Sequence, residues 1–197
     1  WDVATARPYP DSGLLEIGGY ARGFTPDGRS LLVVSAKSIG IWDGATFAKR
    51  TNHAAPRSGL YWAHVSPDAK LLAVLTGSSR DVVIASLPQA KELFRLRGHK
   101  DIVWSMTFSH DGRTLATASW DGTVRLWHVA SGQEMLTFRS SAGVNWCVAF
   151  SPDDRMLAFG SGSEYLRFGR LSILRADPEP ETAAMARSNA LAKVAAD

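Results

Sequence analysis

Short apolar runs alternate with polar turns along most of the chain. Trp104–Phe108 and Trp146–Phe150 precede turns of one kind, and Leu31–Ser35, Leu71–Leu75, Thr114–Ala118 and Met156–Gly160 follow them. These runs are rich in β-branched and aromatic residues and are bounded by Pro, Asp, Gly and Ser, so they predict strands joined by tight turns. The turns repeat: Phe24-Thr25-Pro26-Asp27-Gly28-Arg29, Val65-Ser66-Pro67-Asp68-Ala69-Lys70, Phe108-Ser109-His110-Asp111-Gly112-Arg113 and Phe150-Ser151-Pro152-Asp153-Asp154-Arg155. From Thr25 through Ser66 and Ser109 to Ser151 the steps are 41, 43 and 42 residues.

Each unit continues in the same way. A second turn, clearest at Trp120-Asp121-Gly122, leads to a third strand such as Ile39–Trp42 or Thr123–Trp127, and a fourth, such as Glu92–Leu96 or Glu134–Phe138, leads onward. Four antiparallel strands every 40 to 45 residues, in a unit too small to bury its apolar face alone, predict an all-β chain of about four β-propeller blades.

One unit carries a finer pattern. Gly98-His99, Val103 to Arg113, and Leu115 through Asp121-Gly122 to Trp127-His128 resemble a WD repeat over nearly its full length, with His128 in place of the final Asp. Trp1-Asp2 and Trp42-Asp43 match the family's dipeptide, whereas Ala85-Ser86 and Leu174-Arg175 depart from it. On this resemblance residues 1–17 are the end of a preceding blade, with 12–17 as its outer strand. Residues 18–58, 59–97, 98–138 and 139–176 are four repeats, and 177–197 a frayed or disordered tail. The expected parent is a larger ring, commonly of seven blades, of which this is a C-terminal part; a four-bladed ring closed by residues 12–17 is the alternative. High Ala and Arg content and regular turns resemble bacterial multidomain WD-repeat proteins.

His99, Thr117 or Ser119, and Asp121 contain the residue types of a hydrolase triad. Nucleophilic catalysis would also need an accessible hydroxyl and an oxyanion hole, and no Gly-x-Ser-x-Gly elbow occurs. The resemblance implies instead that His99, Thr117, Asp121 and Trp127 form the family's structural tetrad, a hydrogen-bonded chain that fixes one geometry because buried polar groups must satisfy one another. His53 is a partial counterpart in another unit. His53, His64, His99, His110 and His128 fall at different repeat positions with no paired cysteines, which argues against a metal site. Gly160-Ser161-Gly162-Ser163 lacks the Lys and helix of a phosphate loop, and no cofactor is expected.

Aligned on their turns, the repeats place Tyr20, Tyr61, Trp104 and Trp146 in one column, five residues before Thr25, Ser66, Ser109 and Ser151. The resemblance puts this column, with Trp120, on the top rim around a central channel, where aromatics offer large contact area at low entropic cost. The bland alternative is filling between blades, since strand alternation would set Trp104, Met106 and Phe108 on one side. Trp62 is expected to pack against a neighbouring blade.

With 45% hydrophobic and 21% charged residues, global disorder is excluded. No apolar stretch approaches the roughly 20 residues of a membrane span. The lone Cys147 cannot form an internal disulfide, and a cytoplasmic location is the default expectation. The net charge of +3 is spread along the chain, Arg95, Arg97 and Lys100 being its densest basic cluster, which argues against a nucleic-acid partner. The expected function is a non-catalytic scaffold for a protein or peptide partner. The alternative is an accessory or gating propeller of a hydrolase or signalling kinase whose catalytic domain lies outside this chain.

Overall fold

The repeated turn is closed by its own side chains. In three copies the Ser hydroxyl donates to the Asp two residues on, at 2.6 Å in Ser66–Asp68, Ser109–Asp111 and Ser151–Asp153. The same hydroxyls accept the backbone N–H of Leu71, Thr114 and Met156 at 2.9 Å, where the chain re-enters a strand. The fourth turn residue is left-handed in all four copies: Gly28 at φ 67°, Ala69 at 56°, Gly112 at 71° and Asp154 at 56°. Glycine takes that conformation without penalty, whereas Ala69 and Asp154 hold it at a cost.

A computed structural model describes residues 20–176 apart from 26–27, 36–37, 47, 55–59, 77–79, 88 and 164–168. Trp1-Asp2, the expected outer strand 12–17, the loop Glu164 to Phe168 and the tail 177–197 lie outside the described residues, as do the side chains of Tyr20, His53 and Tyr61. Among the described residues the chain is all-β and divides into two units, one ending at Arg97 and the other starting at Gly98.

In the first unit, β1 (Tyr20–Phe24), β2 (Ser30–Val34), β3 (Ser38–Asp43) and β4 (Lys49–Ala54) form one antiparallel sheet in chain order. A second contains β5 (Leu60–Val65), β6 (Leu71–Thr76), β7 (Val82–Ser86) and β8 (Lys91–Leu96), also in chain order. Buried Leu32 and Ile39 of the first sheet meet Ala63, Leu72, Val74, Val83 and Ala85 of the second, so each sheet covers the apolar face of the other. Trp62, expected to pack against a neighbouring blade, keeps 40% of its surface exposed. On β5 it follows a bulge, and a bulge resets which face the succeeding side chains take.

The second unit contains the sheet of β9 (Val103–Phe108), β10 (Thr114–Ser119), β11 (Thr123–His128) and β12 (Glu134–Arg139). Beside it is a three-stranded sheet of β13 (Val144–Phe150), β14 (Met156–Gly162) and β15 (Arg170–Arg175). Ala116, Ala118 and Val124 of the first pack on Val148, Leu157 and Phe159 of the second. The small alanines of β10 leave room for Phe159, a large-into-small arrangement suited to a close sheet-to-sheet core. A polar clasp joins the turns at one end: the Asp154 carboxylate accepts the N–H of His110 at 2.9 Å and of Asp111 at 3.0 Å, and also the His110 Nδ1–H at 2.9 Å.

Candidate functional site

Of the two sets of residues singled out in the sequence, the four of the tetrad and three of the five aromatics, Trp104, Trp120 and Trp146, lie in the second unit. The first is a buried chain of hydrogen bonds. Trp127, near the end of β11, donates from Nε1 to Thr117 Oγ1 on β10 at 2.8 Å, and Thr117 Oγ1 lies 2.7 Å from His99 Nε2. His99 Nδ1 lies 3.0 Å from Asp121 Oδ2 in the β10–β11 turn. Asp121 has further donors in Thr123 Oγ1 at 2.6 Å and the Lys100 N–H at 2.9 Å. Burial would by itself raise the Asp121 pKa, but the bonds from Thr123, Lys100 and His99 outweigh it and bring the value down to about 2. Asp121 is therefore an acceptor only, so the proton of His99 sits on Nδ1 and its Nε2 accepts from Thr117.

Burial lowers the His99 pKa, against the opposing pull of the Asp121 carboxylate, and keeps the ring neutral. One direction of donation then runs from Trp127 through Thr117 and His99 to Asp121, with each proton used once. Thr117 and Ser119 have no exposed surface, and His99 only 6%. Neither hydroxyl can meet a substrate, and Ser119 Oγ is already committed to the Asp101 carbonyl at 3.1 Å. What the arrangement does chemically is tie the loop entering the sheet to a turn and two strands.

The second set is aromatic. Trp104 and Trp120 stack with ring centroids 5.2 Å apart and planes 20° apart, and Trp146 stands edge-on to both, at 5.6 Å and 5.4 Å. All three are half-buried. The backbone explains why they meet. Ala118 pairs with Ser105 and Ser119 with Val103, so the ladder skips Trp104; likewise Asn145 pairs with Ser161 and Cys147 with Gly160, so it skips Trp146. A skipped residue is a β-bulge, which re-aims its side chain and breaks the strict alternation that would have set Trp104 with Met106 and Phe108. Trp120 arrives from the adjoining turn, its N–H donating to the Ile102 carbonyl at 2.9 Å. Its indole Nε1 is buried without an acceptor among the described residues.

The other two members of the column differ. Tyr61 is also the skipped residue of its strand, between Leu60 and Trp62, but in β1 the skipped residue is Arg22 rather than Tyr20. Among the described residues no cluster of three or more His, Cys, Asp or Glu side chains is placed to hold a metal ion. His64 lies on β5, His110 binds Asp154, and His128 Nδ1 lies 2.9 Å from Ser131 Oγ. No helix of the described residues is long and apolar enough to cross a membrane.

Repeated antiparallel sheets of three or four short strands, packed in pairs face to face, make this a β-propeller protein. Residues 90–128 and 132–168 match the family model "WD domain, G-beta repeat", and the chain belongs to the WD-repeat family. The first match starts at β8 and ends with β11, so the sequence repeat is staggered by one strand from the sheet. Among curated proteins the chain is 29% identical to Protein groucho of Drosophila melanogaster over 68% of its own length and 20% of the relative's. It is 30% identical to Transducin-like enhancer protein 2 of Mus musculus over 68% of this chain and 18% of that one. The chain thus spans about a fifth of the length of these relatives. The solved structure "Kuenenia stuttgartiensis Hydrazine Synthase" is similar with a TM-score of 0.68 at 18% identity, over 85% of this chain and 49% of that one, a likeness of fold alone.

Proposed function

We propose that this chain is a non-catalytic scaffold that holds a protein or peptide partner on the tryptophan-bearing end of its blades. The observation that carries this reading is the meeting of Trp104, Trp120 and Trp146 in one half-buried cluster raised by two bulges. Bulges at loop-proximal strand ends often re-aim side chains at binding sites, and tryptophan is enriched among residues that dominate interfaces. The residues that could have suggested hydrolysis are instead closed into a network without an exposed hydroxyl. Membership of a family built of such repeats is consistent with a scaffold, as is the likeness to Protein groucho and Transducin-like enhancer protein 2.

The test compares proteins retained from a lysate by the chain and by its Trp104→Ala and Trp120→Ala variants, with Arg113→Ala at the opposite end as control. The scaffold reading expects specific proteins to be lost by both tryptophan variants and kept by the control, with cooperative thermal unfolding in all three. Retention of the same proteins by the tryptophan variants, or unfolding of those variants at ambient temperature, contradicts it.

A further inference from the structure

The segments around the tryptophan cluster form one ledge. The Lys100 N–H donates to Asp121 Oδ2 at 2.9 Å, the Ser140 N–H to the Gly122 carbonyl at 2.8 Å, and Arg170 Nη1 to Ser141 Oγ at 2.9 Å. Arg139 Nη1 lies 3.5 Å from the Asp121 carbonyl, which sets its guanidinium beside the turn that bears Trp120. Residues 100–102, 120–122, 139–141 and the start of β15 are therefore neighbours at one end of the second unit.

The charge on this ledge is one-sided. Lys100, Arg139 and Arg170 are exposed, and no carboxylate among the described residues forms an ion pair with any of them. Among the described residues two carboxylates share the ledge. Asp121 faces inward, its side chain 5% exposed and committed to His99, and Asp101 is exposed but accepts the Ile102 N–H at 2.7 Å. Three exposed cations beside an apolar cluster, against a single exposed carboxylate, attract negative charge and repel positive. A nucleic acid would demand many more basic groups along a continuous track.

We propose that the ledge selects an acidic peptide, one bulky apolar side chain lying against Trp104, Trp120 and Trp146 while flanking Asp or Glu residues meet Lys100, Arg139 and Arg170. The proposal rests on the scaffold reading above and adds the chemistry of the partner. Rim charges of this kind govern selection and association rate more than total affinity, whereas the apolar anchor supplies most of the binding energy.

Fluorescence anisotropy of labelled nine-residue peptides with the 197-residue chain tests it. One peptide carries a central Phe flanked by Asp and Glu, a second the same Phe flanked by Lys, and a third Ala between acidic flanks; an unrelated single-stranded oligonucleotide is the fourth probe. The acidic Phe peptide is expected to bind tightest, and the triple variant K100Q/R139Q/R170Q to weaken it about tenfold at low salt while leaving the Lys-flanked peptide no weaker. Equal binding of the acidic and Lys-flanked Phe peptides, or no effect of the triple variant, overturns the acidic selection. If Trp120→Ala still abolishes binding in that case, the scaffold reading survives alone. Equal binding of the Ala peptide, or tighter binding of the oligonucleotide, overturns the apolar anchor or the peptide class.

Discussion

Trp104 and Trp120 stack at 5.2 Å although one lies on a strand and the other in a turn, and the contact exists because the β9–β10 ladder skips Trp104. The indole Nε1 of Trp120 is buried without an acceptor among the described residues. A buried donor without an acceptor is destabilising, so its removal should cost nothing if the ring face is kept. Trp120→Phe is therefore expected to unfold at nearly the wild-type temperature, whereas Trp120→Ala loses about 1–2 kcal/mol of stacking and burial. Differential scanning calorimetry of the two variants distinguishes the outcomes; equal losses would show that the indole nitrogen contributes.

The hydrogen-bond chain makes a sharper claim about Thr117. Its hydroxyl accepts from Trp127 and donates to His99, all within a buried region. Thr117→Val keeps the shape but leaves both partners unsatisfied, at a cost of about 3 kcal/mol, while Thr117→Ser keeps the hydroxyl and loses about 1 kcal/mol. Urea denaturation measures both. A valine variant as stable as the serine variant would mean that the network contributes no stability.

Acid should act on the same network. Unfolded His99 takes up its proton near 6.5, but burial keeps the folded ring neutral to lower pH, so the unfolded chain binds more protons between those values. Stability attributable to His99 is thus complete above 6.5 and declines as the pH falls below it. Asp121 adds a second loss, from its ordinary 3.8 down to about 2. Melting temperatures of wild type and His99→Gln, taken from pH 7.5 to 5, should converge as the pH falls; parallel curves would contradict the neutral, buried imidazole.

The four turns supply an internal comparison. Ala69 holds a left-handed φ of 56° where Gly28 and Gly112 stand in other copies. Ala69→Gly is expected to raise stability by about 0.5–1 kcal/mol, since the strain relieved exceeds the added freedom of the unfolded chain. Asp154 has the same φ of 56°, but its carboxylate binds His110 and Asp111, so Asp154→Gly should lower the melting temperature instead. The opposite ordering of the two variants would show that backbone strain is not what separates the copies.

The strands and turns were legible in the sequence because their chemistry is local. A Ser, an Asp two residues on and a turn-permissive residue after it suffice to close the loop, and the apolar runs either side supply the sheet. His99, Thr117, Asp121 and Trp127 were legible together through the resemblance of one unit to a WD repeat, not through spacing, since the other units lack the set; the structure joins them by hydrogen bonds. The tryptophan cluster was only half legible. A column of aromatics is visible by spacing, but a bulge depends on the register against a partner strand, which no local run encodes. For that reason alternation placed Trp104 with Met106 and Phe108, and Tyr20 entered the column although Arg22 is the residue its ladder skips. The unpartnered Trp120 nitrogen and the one-sided charge of the ledge arise from segments far apart in the chain, beyond the reach of any motif.

Whether a partner is held at the tryptophan end of the blades is decided by site-specific photocrosslinking. The photoreactive residue p-benzoylphenylalanine is placed at Ser141, exposed on the ledge, or at Arg113, exposed at the opposite end. A discrete crosslinked partner is expected from position 141, lost in the Trp120→Ala background, and none from 113. A partner captured from 113 alone, or from 141 irrespective of Trp120, would contradict binding at the tryptophan end.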